Sequence, residues 1–273
     1  MDLHQLHTLS AVIDSGSFEA AARILNVTPS AVSQRIKALE QRSGRVLVQR
    51  TKPARLTDAG AVVLRLARQL ALLEAEAEST LGGSALTNLA IGTNADSLDT
   101  WLLPALRTVE GVTFDIHRED QEHSIALLRE GRVMGAVTSD PEPVQGCTVR
   151  RLGSMRYRPM AAPGLMVELA TTPVVVFDRK DDLQDAYLRS QGVDPLVPPR
   201  HYVPGSSAFV DAVALGFGWG MLPDQQAEEL LAAGALVVID ERAAVVVPLY
   251  WQQWALDSDA LERTATALER AFA

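Results

Sequence analysis

Apolar positions in the first 81 residues fall into four runs with helical spacing. Leu6, Leu9, Val12 and Ile13 lie on one face of a helix that Gly16 ends. Ser17 is a good cap for a second helix, Glu19 suits its first turn, and Phe18, Ala21, Ala22 and Leu25 form an apolar face that stops near Asn26. Thr28 followed by Pro29 predicts a third helix from Pro29 to about Gln41, with Gly44 beyond it. Thr57 and Asp58 then open a helix without a breaker to about Leu81, roughly 36 Å long at 1.5 Å per residue. Its Val63, Leu66, Leu70, Leu73 and Ala77 alternate steps of three and four, the seam spacing of paired helices. A long helix buried on its own domain shows the same pattern. Gly82-Gly83-Ser84 breaks the run and offers a hinge.

From Leu86 the pattern changes to alternating strands and helices, as in a mainly parallel sheet covered by helices. The strands are centred on Leu89-Ala90-Ile91, Val112 to Ile116, Val133 to Val137, Pro173 to Phe177, Gly220 to Leu222 and Val245 to Trp251. Helices are expected from about Ser97, Glu122 to Glu130, Asp182 to Ser190, Phe209 to Leu215, near Gln225 to Leu231 and from about Asp259. The late strand and helix fit a chain that crosses to a second lobe and returns.

Charge divides the chain in the same place. The formal net charge of −9 argues, taken globally, against a nucleic-acid binder. Residues 1–58, however, hold eight Lys/Arg against five Asp/Glu, a net of +3, and the remainder has a net of −12. On the third helix Val32, Ile36 and Leu39 form one side, while Ser30, Ser33, Gln34 and Lys37 line the other. That polar stripe suits base edges and phosphates, although a solvated helix face is the alternative. After Val46-Leu47-Val48, Arg50, Lys52 and Arg55 crowd the tip of a short hairpin suited to backbone or minor-groove contact. Two helices joined by a tight turn with a cationic hairpin make a winged helix-turn-helix. Its candidate DNA contacts are Thr28, Ser30, Ser33, Gln34, Arg35, Lys37, Arg50, Lys52 and Arg55, with Arg35 on the flank as a phosphate contact or a structural pair.

Other classes find little support. The single Cys147 excludes an intramolecular disulfide and multi-cysteine zinc sites and fits a reducing cytoplasm. No apolar run approaches the ~18 residues of a membrane helix, and the start lacks a basic segment followed by an apolar one. Gly216-Phe217-Gly218-Trp219-Gly220 lacks dinucleotide-loop spacing and reads as a turn, and His117 and His123 match no zinc motif. No enzyme motif and no cofactor site is recognised.

The segments Phe18–Ala22, Pro29–Glu40 and Leu56–Gly60 resemble the amino-terminal domain of LysR-type transcriptional regulators. The two-lobed remainder resembles the periplasmic-binding-protein-like effector domain of that family. Asn94–Pro104, Arg129–Val137 and Leu249–Gln252 are similar to the branch responsive to lysine and arginine, which controls basic-amino-acid export genes. Two stretches, Arg107–Val112 and Ala162–Thr172, are shorter than the resemblance leads one to expect. The fold class is therefore α/β: a winged helix-turn-helix at 1–58, a linker and dimerisation helix with hinge at 59–84, and an effector domain at 85–273. Its first lobe covers about 85–157 and 240–273, its second about 158–239.

The resemblance implies a cytoplasmic, dimeric or tetrameric regulator of promoter DNA, with RNA polymerase as a further partner. Its effector is expected to be lysine, arginine or histidine, and its target an amino-acid exporter gene. A regulator sensing another small molecule, or an α/β solute-binding protein or enzyme, is the alternative. Ser97 meets the strand ending near Thr93, so its hydroxyl and nearby N–H groups form a candidate carboxylate site, although Asp96 or Ser97 also serves as a plain cap. Glu119 and Asp120 follow a strand end, where parallel sheets present ligands. On the resemblance, Glu119 and Gln121 face the cleft and Glu119 pairs an effector ammonium. Trp101 is a cation–π wall or a core residue, and Ser206 offers donors from the second lobe.

Overall fold

A computed structural model describes residues 1–82, 86–119 and 121–272, apart from the side chains of 121–123. The amino-terminal unit holds α1 (Leu3–Ser15), α2 (Phe18–Ile24), α3 (Pro29–Ser43) and a hairpin of β1 (Val48–Gln49) and β2 (Arg55–Leu56). Local chemistry sets its boundaries. The Ser17 hydroxyl accepts from the Ala20 N–H at 3.1 Å, Thr28 caps α3 through the Ala31 N–H at 3.2 Å, and Gly44 ends α3 at φ +67°. Val32, Ile36 and Leu39 are fully buried against Leu6, Leu9 and Val12 of α1. The carboxylate of Glu40 accepts the N–H groups of Leu47 and Val48 at 2.9 and 3.3 Å, tying the base of the hairpin to α3.

The linker helix α4 (Asp58–Thr80) starts at Thr57, whose hydroxyl accepts the Gly60 N–H at 3.0 Å. Gly60 is required there, because a Cβ would stand 2.1 Å from the Leu47 carbonyl oxygen. The helix divides its faces among several tasks. Val63, Leu64 and Ala67 complete the core of the amino-terminal unit, Leu70 packs on it, and Leu72 enters the effector-domain core.

Polar groups of α4 bind the effector domain of the same chain. Arg65 donates to the carbonyls of Gln145 and Gly146 at 3.0 and 2.7 Å. Arg68 bonds the Arg132 carbonyl and the Asp14 carboxylate, and Glu76 accepts from the Ser258 hydroxyl and the Ala260 N–H at 2.6 and 2.9 Å. The helix comes close enough that a Cβ on Gly131 would meet the Arg65 backbone at 2.9 Å. Of the expected seam, therefore, Val63 is committed to the core of its own unit, because it faces α1, and Leu70 is partly so. The outward apolar face is Val62, Leu66, Leu73 and Ala77. In the expected hinge, Gly82 has a φ of +89°, and Gly83 and Ser84 lie outside the described residues.

The remainder is α/β. Its first lobe has β3 (Thr87–Thr93), α5 (Ala95–Ser97), a π turn (Leu98–Leu102), α6 (Leu103–Leu106), β4 (Val112–Arg118), α7 (Gln121–Arg129) and β5 (Gly135–Thr138). The strand β6 (Cys147–Ala161) crosses to the second lobe, which has β7 (Val174–Val176), α8 (Leu183–Ser190), β8 (Arg200–Tyr202), α9 (Ser206–Ala214), β9 (Trp219–Pro223), α10 (Asp224–Ala232) and β10 (Val237–Val238). The chain returns along β11 (Val245–Trp254) and ends in α11 (Asp259–Arg270).

Among the described residues nine strands form one sheet in the order β4-β3-β5-β11-β6-β9-β7-β8, with β10 on β6. Parallel pairing holds within the lobes at β3 with β4 and β5, and at β7 with β8 and β9. The centre is antiparallel, a departure from the mainly parallel expectation: β6 pairs with β11 from Cys147 to Tyr157, then with β9 from Tyr157 to Ala161. No helix among the described residues is long and apolar enough to cross a membrane.

Leu66 and Leu73, each 39% exposed on the outward face of α4, offer a surface for a second copy. Replacing both with Glu is expected to move the protein in sedimentation velocity from its native assembly to monomer; an unchanged assembly would contradict the use of this face.

Candidate DNA interface and effector cleft

Burial of the apolar side of α3 turns its polar stripe outward. Thr28, Ser30, Gln34 and Lys37 are exposed, and Ser33 is half-buried. Arg50, Lys52 and Arg55 are exposed on the hairpin, which continues the cationic surface. Two of these groups have partners within the fold. The Arg50 guanidinium lies 5.1 Å from the centre of the Phe18 ring, which steadies it over α2. Arg35 is half-buried and its Nη1 approaches the Thr8 hydroxyl at 3.5 Å, the outer limit of a hydrogen bond, so the structural pair is the contact present.

The second site lies between the lobes, where a cavity of about 820 Å³ is lined by Asp96, Glu119, Asp178, Asp181 and Asp182 against two cations, Arg118 and Lys180. Phe177, Phe209 and Met221 supply apolar wall. Asp96 links the lobes: its carboxylate accepts the Ser206 hydroxyl at 2.6 Å from α9 and the Tyr157 hydroxyl at 2.8 Å from β6. A second bridge runs from the Ser207 hydroxyl to Asp99 at 3.1 Å. Asp96 of α5 and Asp99 of the π turn both reach the second lobe, while Trp101 and Leu102 of that turn are buried. Burial, and next the Asp96 charge, push the Tyr157 hydroxyl well above its ordinary range, so it stays a donor.

The expected effector residues do not all meet here. Asp96 and Glu119 line the cavity, and Ser206 reaches it as the partner of Asp96. Ser97 does not line it. Its side chain is fully buried against Met155 Sδ at 3.8 Å, and its N–H is taken by the Asn94 side chain at 2.8 Å, so Asn94 is the cap. Trp101 does not line it either and takes the core alternative. It is 7% exposed and packs edge-on against Phe272 with ring centres 4.8 Å apart, which makes it a core residue bordering a separate outer groove. The side chain of Gln121 lies outside the described residues, as does Asp120. His117 pairs with Asp115 at 3.2 Å.

Tyr157 and Asp181 were not among the expected residues. Tyr157 sits in a strand rich in arginine that gives no sign of a cleft, and Asp181 stands in Asp178-Arg179-Lys180-Asp181-Asp182, which reads as a solvated turn before a helix.

A winged helix-turn-helix joined by a long helix to a two-lobed α/β ligand domain defines a ligand-responsive DNA-binding regulator. Residues 3–61 match the family of bacterial regulatory helix-turn-helix proteins of the lysR type, and residues 84–273 match the LysR substrate-binding domain. The chain belongs to the LysR family.

It is 44% identical to the lysine export transcriptional regulatory protein LysG of Corynebacterium glutamicum, over 97% of this chain and 95% of that one. The structure of full-length LysG from that organism with bound effector Arg superposes with a TM-score of 0.79 at 44% identity, covering 99% of this chain and 98% of that one. ArgP from Mycobacterium tuberculosis gives a TM-score of 0.87 at 44% identity over 100% and 98% of the two chains.

Gln34→Ala is expected to lower operator affinity by about 1–3 kcal/mol, the value of a bidentate base contact. Fluorescence anisotropy with operator and unrelated duplexes checks it; unchanged discrimination with a folded domain would remove α3 from the recognition role.

Proposed function

We propose that this transcriptional regulator is controlled by a basic amino acid, lysine, arginine or histidine, held between the lobes, and that it regulates an amino-acid exporter gene. The observation that carries the reading is the acid excess of the cleft, whose carboxylates include Asp96 and Glu119 of the first lobe and Asp181 of the second. An anionic effector would meet repulsion there, whereas a basic amino acid brings an α-ammonium and a distal cation. Glu119, at the end of β4 with its N–H on the Thr93 carbonyl at 3.0 Å, is the partner of the α-ammonium in this reading. The names of the relatives, one a lysine-export regulator and one a structure with bound arginine, support it.

The division into a DNA-binding unit at 1–58, a linker at 59–84 and an effector domain at 85–273 follows from the same reading. Lobe closure reaches DNA through α4, because Arg65 holds the carbonyls just ahead of β6 while Val63 and Leu64 sit in the DNA-binding core. The effector acts by binding one lobe arrangement better than another. A second copy on the outward face of α4 makes the dimer, and pairs of dimers the tetramer. The protein acts on promoter DNA in the cytoplasm, with RNA polymerase as a further partner and with an effector rather than a cofactor as its small ligand.

Thermal shift of the full-length protein with lysine, arginine, histidine, norleucine and citrulline tests the reading. Basic amino acids should raise the midpoint, by an amount equivalent to about 2.7 kcal/mol at a hundred times Kd. A shift from neutral or anionic compounds alone would overturn it. Glu119→Gln should weaken lysine and arginine more than norleucine, and calorimetry giving equal losses would remove its role.

A further inference from the structure

We propose that Glu40 is a positioning residue for DNA binding: its carboxylate fixes the cationic hairpin against α3, so that Arg50, Lys52 and Arg55 meet phosphates while α3 reads the groove. The inference rests on the reading of that hairpin as a DNA contact and assigns what holds it in place.

The hairpin cannot hold its own position. β1 and β2 pair through two register positions, Val48 with Leu56 and Gln49 with Arg55, and even a longer two-stranded ribbon is marginal by itself in water. Its placement therefore depends on ties to the elements around it. Toward the tip, the Ala54 N–H donates to the Gly16 carbonyl at 2.8 Å, and the Arg50 guanidinium stands over the Phe18 ring. At the base, the Thr57 hydroxyl donates to the Val46 carbonyl at 2.7 Å and the Thr57 N–H to the Leu47 carbonyl at 3.0 Å, which links the hairpin to the start of α4. The tie to α3 is Glu40, whose Oε1 accepts both the Leu47 and the Val48 N–H.

That tie does what packing does not. Leu47 and Val48 are buried in the same core as Ile36 and Leu39, but apolar contact is non-directional. A carboxylate oxygen shared by two successive N–H groups sets distance and angle together, and an ionised acceptor makes such bonds stronger than neutral ones. Glu40 lies one turn beyond Lys37, the last member of the polar stripe, so the hairpin is joined to α3 next to the surface that reads bases.

The sign of the charge separates position from electrostatics. Phosphates dominate affinity for DNA, and an acid in the DNA-binding unit opposes them. If Glu40 acted through its charge, neutralising it would strengthen binding. Acting through position, it does the opposite: without its acceptor the cations of the hairpin lose their phosphates, and binding weakens.

Fluorescence anisotropy of the full-length protein on a duplex of mixed sequence, repeated across salt concentrations, tests the assignment. Each phosphate contact contributes about 0.9 to the slope of log affinity against log salt, so loss of all three hairpin contacts lowers its magnitude by about 2.7 per protomer. Glu40→Met keeps the length of the side chain and its helix propensity but has no carboxylate; it should weaken binding and lower the slope by about 1–3. Glu40→Gln keeps a carbonyl acceptor with two lone pairs and should retain the wild-type slope. An unchanged slope in Glu40→Met would overturn the assignment. So would affinity lost by the same factor at every salt concentration, because a destabilised unit loses active protein rather than contacts. Slopes lowered equally in the Met and Gln variants would overturn the acceptor role, and Glu40→Ala is read by the same criteria should Glu40→Met not fold. Arg50→Gln, Lys52→Gln and Arg55→Gln combined, with the wild-type slope retained, would instead overturn the reading of the hairpin as a DNA contact, which keeps the two failures apart.

Discussion

The antiparallel ladder of β6 and β11 is the constraint to which the rest of the effector domain answers. Among the described residues the chain passes between the lobes along these two neighbours, paired from Cys147 with Trp254 to Tyr157 with Val245. Their hydrogen bonds tie the outgoing and returning strands together where the chain crosses between the lobes. The ladder has one irregularity, a register shift between Leu249 and Tyr250, where an extra residue in β6 increases local twist. Tyr157 stands where β6 leaves β11 for β9, and its hydroxyl reaches Asp96. The acid that touches the second lobe is thus anchored to the strand that enters that lobe.

A single helix carries this geometry to the DNA-reading end. On α4, apolar residues enter two different cores, Val63, Leu64 and Ala67 in one and Leu72 in the other. Arg68 lies between them. Burial lowers its pKa, and the Asp14 carboxylate and Arg132 carbonyl hold the charge in place. Such a cation favours one packing arrangement over its neighbours, because shifting the helix would strand it without partners. Arg65, donating to two backbone carbonyls, and Glu76, accepting from Ser258 and Ala260, hold the two ends of the same contact.

Much of the fold was legible because the signals are local. Ser17, Thr28 and Thr57 cap helices at the positions their hydroxyls suggest, and Gly16 and Gly44 end helices in left-handed conformations. The crossover strand β6 was not legible. Its arginines blur the period-two pattern, since their partners are supplied from afar: Glu262 takes Arg150 at 2.9 and 2.5 Å, and Asp224 takes Arg158 at 2.6 Å. The seam of α4 was ambiguous for a related reason. A heptad-like spacing does not say which residues face the same chain and which face outward.

The sequence by itself determined the two-part plan: a basic helix-turn-helix with its polar stripe on α3, a long connecting helix, and an acidic α/β body. These follow from periodicity, caps and charge, which act between residues close in the chain. Only the tertiary structure decided which polar groups share a site. It buried Ser97 and Trp101 and set Asp96 against Ser206 and Tyr157, partners separated by 110 and 61 positions. It also set Asp181, only partly exposed, in the wall of the cleft, where an acid in a run of charged residues reads as solvated. Burial and partnership of a carboxylate depend on how distant segments exclude water around it, and no local pattern encodes that.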